Sequence, residues 1–168
     1  MVRRGVEAAK PEALIAEAQV ACFHDREFPV SSSDTALVLI DMQTDFLSKD
    51  GRLGKNYSDP RVKQLAATEA KVAALLAAAR RAGMTVAHSR SHRYGADVRR
   101  DLCVPTIDPT YDLVESCRPR PGEIVVDKWT FGAFASTDLE RRLRERGVRR
   151  ILLAGILTNV CIMATAVQ

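Results

Sequence analysis

The stretch "TALVLIDMQTDF", residues 35–46, decides the fold: Thr35 is followed by five apolar residues in a row, and the run stops abruptly at an acid, Asp41. A strand with one wet face alternates apolar and polar residues, whereas a strand covered on both faces does not. The run therefore predicts an interior strand of a parallel sheet. Working outward, "MTVAHS" (84–89), "EIVVD" (123–127) and "RRILLAG" (149–155) read as three further strands. A helix is expected between the first two, capped by Ser58 or Asp59, with Pro60 in its first turn and Gly83 past its end. "STDLERRLRERG" (136–147) has Thr137 and Glu140 at capping-box spacing and Gly147 as a stop, and "CIMATAVQ" (161–168) opens a last helix. Strands alternating with helices imply an α/β fold with a parallel sheet and helices on both faces.

The 168 residues are expected to form one main domain, residues 34–168, preceded by an arm and linker over 1–33. In the arm, "PEALIAEAQVACF" (11–23) is predicted to be a helix begun by proline, and "FPVSSSD" (28–34) a linker. Residues 90–120 mix charges, prolines and isolated apolar residues and are expected to be a long excursion with short elements. The composition, 46% hydrophobic and 27% charged, excludes disordered and collagen-like classes. The net charge is +4, but the basic residues are spread along the chain, and 5% aromatics offer little on which bases could stack, so no nucleic-acid partner is expected. No segment resembles a signal peptide or a membrane span, which predicts a cytoplasmic protein with no membrane partner. Cys22, Cys103, Cys117 and Cys161 form no CxxC pair and are expected to be free thiols.

In parallel sheets ligands bind outside the carboxyl ends of the strands. There the sequence puts Asp41, Lys128 and, one turn after the last strand, Cys161. Singly these have ordinary readings: a turn acid, a surface lysine, a buried thiol. At one edge they can divide acyl transfer among them. Cys161 would attack a carbonyl carbon, its pKa expected to be lowered by the helix start and a nearby ammonium. Asp41, made more basic by burial, would take the thiol proton and pass it to a leaving nitrogen. Lys128 would hold the two acidic groups in one pocket. The turn between Gly155 and Cys161 offers backbone N–H groups to a developing oxyanion.

These residues carry a resemblance. "TALVLIDMQTDFL", "VVDKWTFGAF" and "LLAGILTNVCIMATA" resemble, in this order, the acid, lysine and nucleophile motifs of the isochorismatase-like cysteine hydrolases, over about residues 34–168. The resemblance implies a Rossmann-like three-layer α/β/α domain and an Asp41-Lys128-Cys161 triad. It further implies a cis peptide between Ile156 and Leu157 and an oxyanion hole from the N–H groups of Leu157 and Cys161. Relatives form dimers or tetramers, which implies a homodimer or homotetramer here, and they continue with another strand and helix, so the chain is expected to extend beyond Gln168. Cys161 points to C–N hydrolysis, because the vinyl-ether hydrolases of the family lack the cysteine.

Metal-dependent nicotinamidases of the family carry an Asp-x-His pair where this chain has "HSRSHRY" (88–94), with Arg90 in place of the carboxylate. No metal and no other cofactor is therefore expected, His88 and His92 notwithstanding. Arg90 and Arg93 suit a substrate carboxylate or ureido oxygen, and Phe46 and Trp129 are expected to wall the pocket. Gly132 falls where relatives often have serine. The expected activity is thioester-mediated hydrolysis of a small amide or a ureido or carbamoyl compound. The alternatives are a catalytically idle binding domain of the same fold and a metal-dependent nicotinamidase.

Overall fold

The computed structural model describes residues 17–21, 26–51, 54–92 and 111–168. Residues 11–16 of the expected arm helix, Cys22, Cys103, Arg93 and most of the 90–120 excursion lie outside the described residues. Strands β1 (Glu17–Ala21) and β2 (Glu27–Ser31) pair antiparallel as a two-stranded sheet. The second sheet has four strands, β3 (Thr35–Ile40), β4 (Thr85–Ser91), β5 (Ile124–Lys128) and β6 (Arg150–Gly155), all parallel and in the order β5-β4-β3-β6. Helices α1 (Thr44–Leu47), α2 (Asp59–Arg81), α3 (Leu139–Arg144) and α4 (Met163–Val167) complete the described elements.

All six residues of β3 are buried, as its unbroken apolar run requires. One face of the sheet sets Leu37, Leu39 and Val86 against Leu65, Val72 and Leu76 of α2. The other sets Ala36, Val38, Ile40, Ala87 and Val126 against Leu139 and Leu143 of α3. Ser58 precedes α2, Pro60 lies in its first turn, and Gly83 takes the left-handed conformation, φ 66°, that stops it. Helix α3 is shorter than its sequence span. Its start is held by the Thr137 hydroxyl, which accepts the Leu139 N–H at 3.1 Å, while Glu140 pairs with Arg144 instead of closing a capping box.

The arm differs from expectation. Residues 17–21 are a strand rather than part of a helix, and residues 28–31 of the expected linker are its partner. Glu17 to Val20 are exposed. In the hairpin the backbone groups pair across the ladder, with Val20 opposite Phe28, and propensity yields to that pairing. The hairpin is fastened at Arg150, whose guanidinium lies 6.0 Å from the centroid of the Phe28 ring and pairs with Asp34.

A polar clamp closes the amino-end side of the sheet. Arg80, at the end of α2, grips Glu123 with Nε at 2.7 Å and Nη2 at 2.9 Å. Glu123 also takes the Arg120 N–H and meets His88 Nε2, each at 2.9 Å. Burial pushes the Glu123 carboxyl up, but these donors outweigh it and hold it at about 2, below its usual 4.5. Burial holds His88 below its usual 6.5 despite that carboxylate. In both cases the unfolded chain binds protons that the fold refuses, so acid destabilises. We expect the unfolding free energy to drop as pH falls below about 6.5, through His88, and again from 4.5 toward 2, through Glu123. Glu123→Gln should cost about 2 kcal/mol at pH 7 and flatten the second drop in urea titrations at stepped pH. An unchanged second drop would show that other carboxylates carry it.

Candidate active site

Asp41 is the first residue past β3 and has a positive φ of 54°. Its N–H donates to the Ser89 carbonyl at 3.2 Å, and its own carbonyl takes the Gln43 N–H at 2.8 Å, a tight reversal that turns the carboxyl across the strand ends. Lys128 ends β5, two strands away, and both side chains are almost wholly removed from water. Nζ lies 2.8 Å from Asp41 Oδ2 as an ion pair and donates to the carbonyls of Thr130 at 3.2 Å and Phe131 at 3.0 Å. An ammonium survives such burial only when several oxygens replace its water. The intervening strand β4 adds Ser89, whose hydroxyl donates to Asp41 Oδ1 at 2.8 Å.

Cys161 arrives from the other side. Gly155 ends β6 opposite Ile40, and the Ile156 N–H extends the ladder by donating to the Ile40 carbonyl at 3.0 Å. The Ile156–Leu157 peptide is cis, as expected, and a π-helical turn, Thr158–Ile162, carries Cys161 into α4. The thiol is buried and interacts with both the Asp41 carboxyl and the Lys128 ammonium. Thr165 ties this turn to the loop after Lys128, its hydroxyl donating to the Cys161 carbonyl at 2.7 Å and accepting the Ala133 N–H at 3.1 Å.

Burial raises the Asp41 pKa above 3.8 against the pull of Lys128. Burial, and then the Asp41 charge, push the Cys161 thiol up to about 11. The expected lowering of that thiol is therefore reversed, because desolvation and the carboxylate outweigh the ammonium. At neutral pH the sulfur keeps its proton, and the adjacent carboxyl is the group placed to remove it.

A cavity of about 290 Å³ opens onto Asp41 and Cys161 and is walled by Phe46, Phe131, Leu157 and Val160. Among the described residues nothing accepts the Leu157 N–H. Phe46 lines this cavity, whereas Arg90, expected to meet a substrate carboxylate or ureido oxygen, and Trp129, expected to wall the pocket, do not line it. Arg90 is gripped by Asp127 through Nε at 2.7 Å and Nη2 at 2.9 Å, and lines a separate cavity. Side chains alternate across a strand, so the residue after Ser89 faces away from Asp41. Trp129 packs on His92, with ring centroids 5.0 Å apart, and Phe131 takes the wall instead.

His88 and His92 each face a single carboxylate, Glu123 and Asp127. Among the described residues no group of three or more His, Cys, Asp or Glu side chains is placed to hold a metal ion. Sequence reasoning passed over Ser89, Gln43, Phe131 and Thr165. Gln43 stood in the acid motif, yet nothing local showed that its amide would bond Ser91 and Tyr111 across the strand ends.

The Isochorismatase domain family model matches residues 35–168. The chain is 29% identical over 182 residues to the ureidoacrylate amidohydrolase RutB of Variovorax paradoxus, covering 94% of this chain and 69% of that protein. It is 31% identical over 157 residues to RutB of Methylorubrum extorquens, covering 78% of this chain and 62% of that one. Among solved structures it is similar to a cysteine hydrolase from Pseudomonas syringae, with 31% identity and a TM-score of 0.67 over 82% of this chain and 66% of that one. It is also similar to the N-carbamoylsarcosine amidase of Thermoplasma acidophilum, with 25% identity and a TM-score of 0.64 over 80% and 71%. The chain thus spans about two thirds of the length of these relatives. It belongs to the isochorismatase family.

The junction that delivers Cys161 rests on Gly155, whose φ of 128° favours glycine and where a Cβ would overlap the Ile40 carbonyl oxygen. Gly122 also has a positive φ, but a Cβ there would meet nothing. Gly155→Ala should therefore cost about 3 kcal/mol or more in urea unfolding, against about 1 kcal/mol for Gly122→Ala. Equal costs would mean that the β3–β6 contact gives way freely.

Proposed function

We propose that this isochorismatase-family chain is a cysteine hydrolase that cleaves the C–N bond of a small amide or ureido compound through a thioester. The observation that carries the reading is the meeting of a carboxyl, an ammonium and a thiol at one sheet edge, on a cavity of about 290 Å³. That volume suits a small molecule and leaves no room for a folded partner. The names of the relatives, ureidoacrylate amidohydrolase and N-carbamoylsarcosine amidase, favour ureido or carbamoyl groups as the reacting part.

Asp41 removes the proton from Cys161 Sγ as the sulfur adds to the carbonyl carbon, so the costly buried thiolate never has to accumulate. The carbonyl oxygen takes up the negative charge, which the Leu157 and Cys161 N–H groups stabilise at the start of the turn. Collapse breaks the C–N bond, and Asp41 hands its proton to the leaving nitrogen. Water then attacks the thioester, giving its proton to Asp41; the C–S bond breaks, the acid departs, and the proton returns to sulfur. Lys128 supplies a fixed positive charge throughout, stabilising whichever of Asp41 and Cys161 is ionised. Phe46 and Phe131 keep bulk water from the reacting atoms.

This reading predicts ammonia release from at least one of ureidoacrylate, biuret and an N-carbamoyl amino acid, with Cys161→Ala reduced at least about 10³-fold in kcat. Because burial raises the Asp41 pKa, kcat/KM should fall on the acid side as Asp41 takes a proton, at a pH above the 3.8 of a free aspartate. Turnover persisting in Cys161→Ala would refute the thiol mechanism. A folded wild type inert toward the whole panel would refute the substrate class.

A further inference from the structure

We infer that Ser89 is a positioning residue for the reaction: by donating its hydroxyl proton to Asp41 Oδ1, it reserves Oδ2 as the oxygen that receives and returns the catalytic proton. The inference rests on the hydrolase reading and deepens it.

Ser89 is fully buried in the middle of the sheet, paired with Ile40 on one side and Val126 on the other, so its side chain cannot wander. Its hydroxyl lies 2.8 Å from Oδ1 and has no other hydrogen-bond partner among the described residues. The hydroxyl carries one proton, and Oδ1 is the acceptor within its reach. Oδ2 is different. It is ion-paired with Lys128 Nζ at 2.8 Å, and among the described residues no hydroxyl or amide donor is fixed on it as Ser89 is on Oδ1, which leaves it the oxygen free to take a proton.

When Asp41 takes the proton from sulfur, a proton placed on Oδ1 would collide with that of Ser89, and the hydroxyl would have nowhere to turn. A proton on Oδ2 leaves the Ser89 bond intact. The same oxygen therefore serves the thiol, the leaving nitrogen and the attacking water in turn, and Ser89 exchanges no proton itself. The charged and titratable groups facing Asp41 are Lys128 from β5 and Cys161 from the π-helical turn, and Ser89 supplies the neutral donor from β4. A donor to a carboxylate favours its ionised form. Removing it should make Asp41 easier to protonate.

The test compares wild type, Ser89→Ala, Ser89→Thr and Cys161→Ala on one ureido substrate across pH, with thermal melts confirming that each is folded. We expect Ser89→Ala to move the acid limb of kcat/KM up by about one pH unit and to lower kcat about tenfold, with KM within about twofold of wild type. Ser89→Thr, which keeps the hydroxyl, should restore the limb. A Ser89→Ala limb that stays in place, or a loss that Ser89→Thr fails to repair in a folded protein, would overturn the role of Ser89 and leave the hydrolase reading standing. Activity surviving in Cys161→Ala would overturn both.

Discussion

A carboxylate and an ammonium, both out of reach of water, face each other at 2.8 Å across the ends of β3 and β5. Neither could be buried alone. Removing either partner from such a pair typically costs about 3–5 kcal/mol, because the other charge is left stranded. The pair therefore needs everything arranged around it: the Thr130 and Phe131 carbonyls on the lysine, the Ser89 hydroxyl on the acid, and a sheet in which β4 and β5 run two residues past the ends of β3 and β6. The strand order β5-β4-β3-β6 brings Lys128, Ser89, Asp41 and the turn bearing Cys161 to one edge in succession.

The same constraint explains the chemistry of the thiol. A lone lysine beside a cysteine lowers the thiol pKa. Here the lysine is already balanced by Asp41, so the cysteine meets burial and a carboxylate first, and its proton is held rather than released. In the proposed reaction such a site rests as a neutral thiol beside a base and ionises the sulfur only as the bond to carbon forms. The turn that carries Cys161 is fixed independently of these charges, by the close approach of Gly155 to β3 and by the Thr165 hydroxyl bridging Cys161 to the loop after Lys128. Charge and backbone thus position the acid and the sulfur separately.

Much of this was legible in the residues. The unbroken run at 36–40 announced a strand buried on both faces, the three further strands fell within a residue or two of their sequence spans, and the triad followed from where those strands stop. What escaped depends on distance in space. The arm paired as a hairpin because its backbone found a partner six residues on from its end, which helix propensity ignores. Arg90 looked like a substrate ligand until strand alternation turned it toward Asp127, and Phe131 could not be told from Trp129 without the loop that orients them. The Ser89–Asp41 hydrogen bond was invisible, since a serine late in a strand carries no signal of the acid that lies beside it on the next strand.

Covalent acylation of Cys161 can be seen by trapping the intermediate. Wild-type protein mixed with a turned-over ureido substrate, quenched in acid within one turnover and digested, should yield the peptide containing Cys161 with the added mass of the substrate's acyl or carbamoyl group. The adduct should appear before steady state and vanish once substrate is exhausted. Turnover with no adduct at any quench time under conditions where thioesters survive, or an adduct on another residue that forms and decays at the catalytic rate, would mean that Cys161 is not the nucleophile.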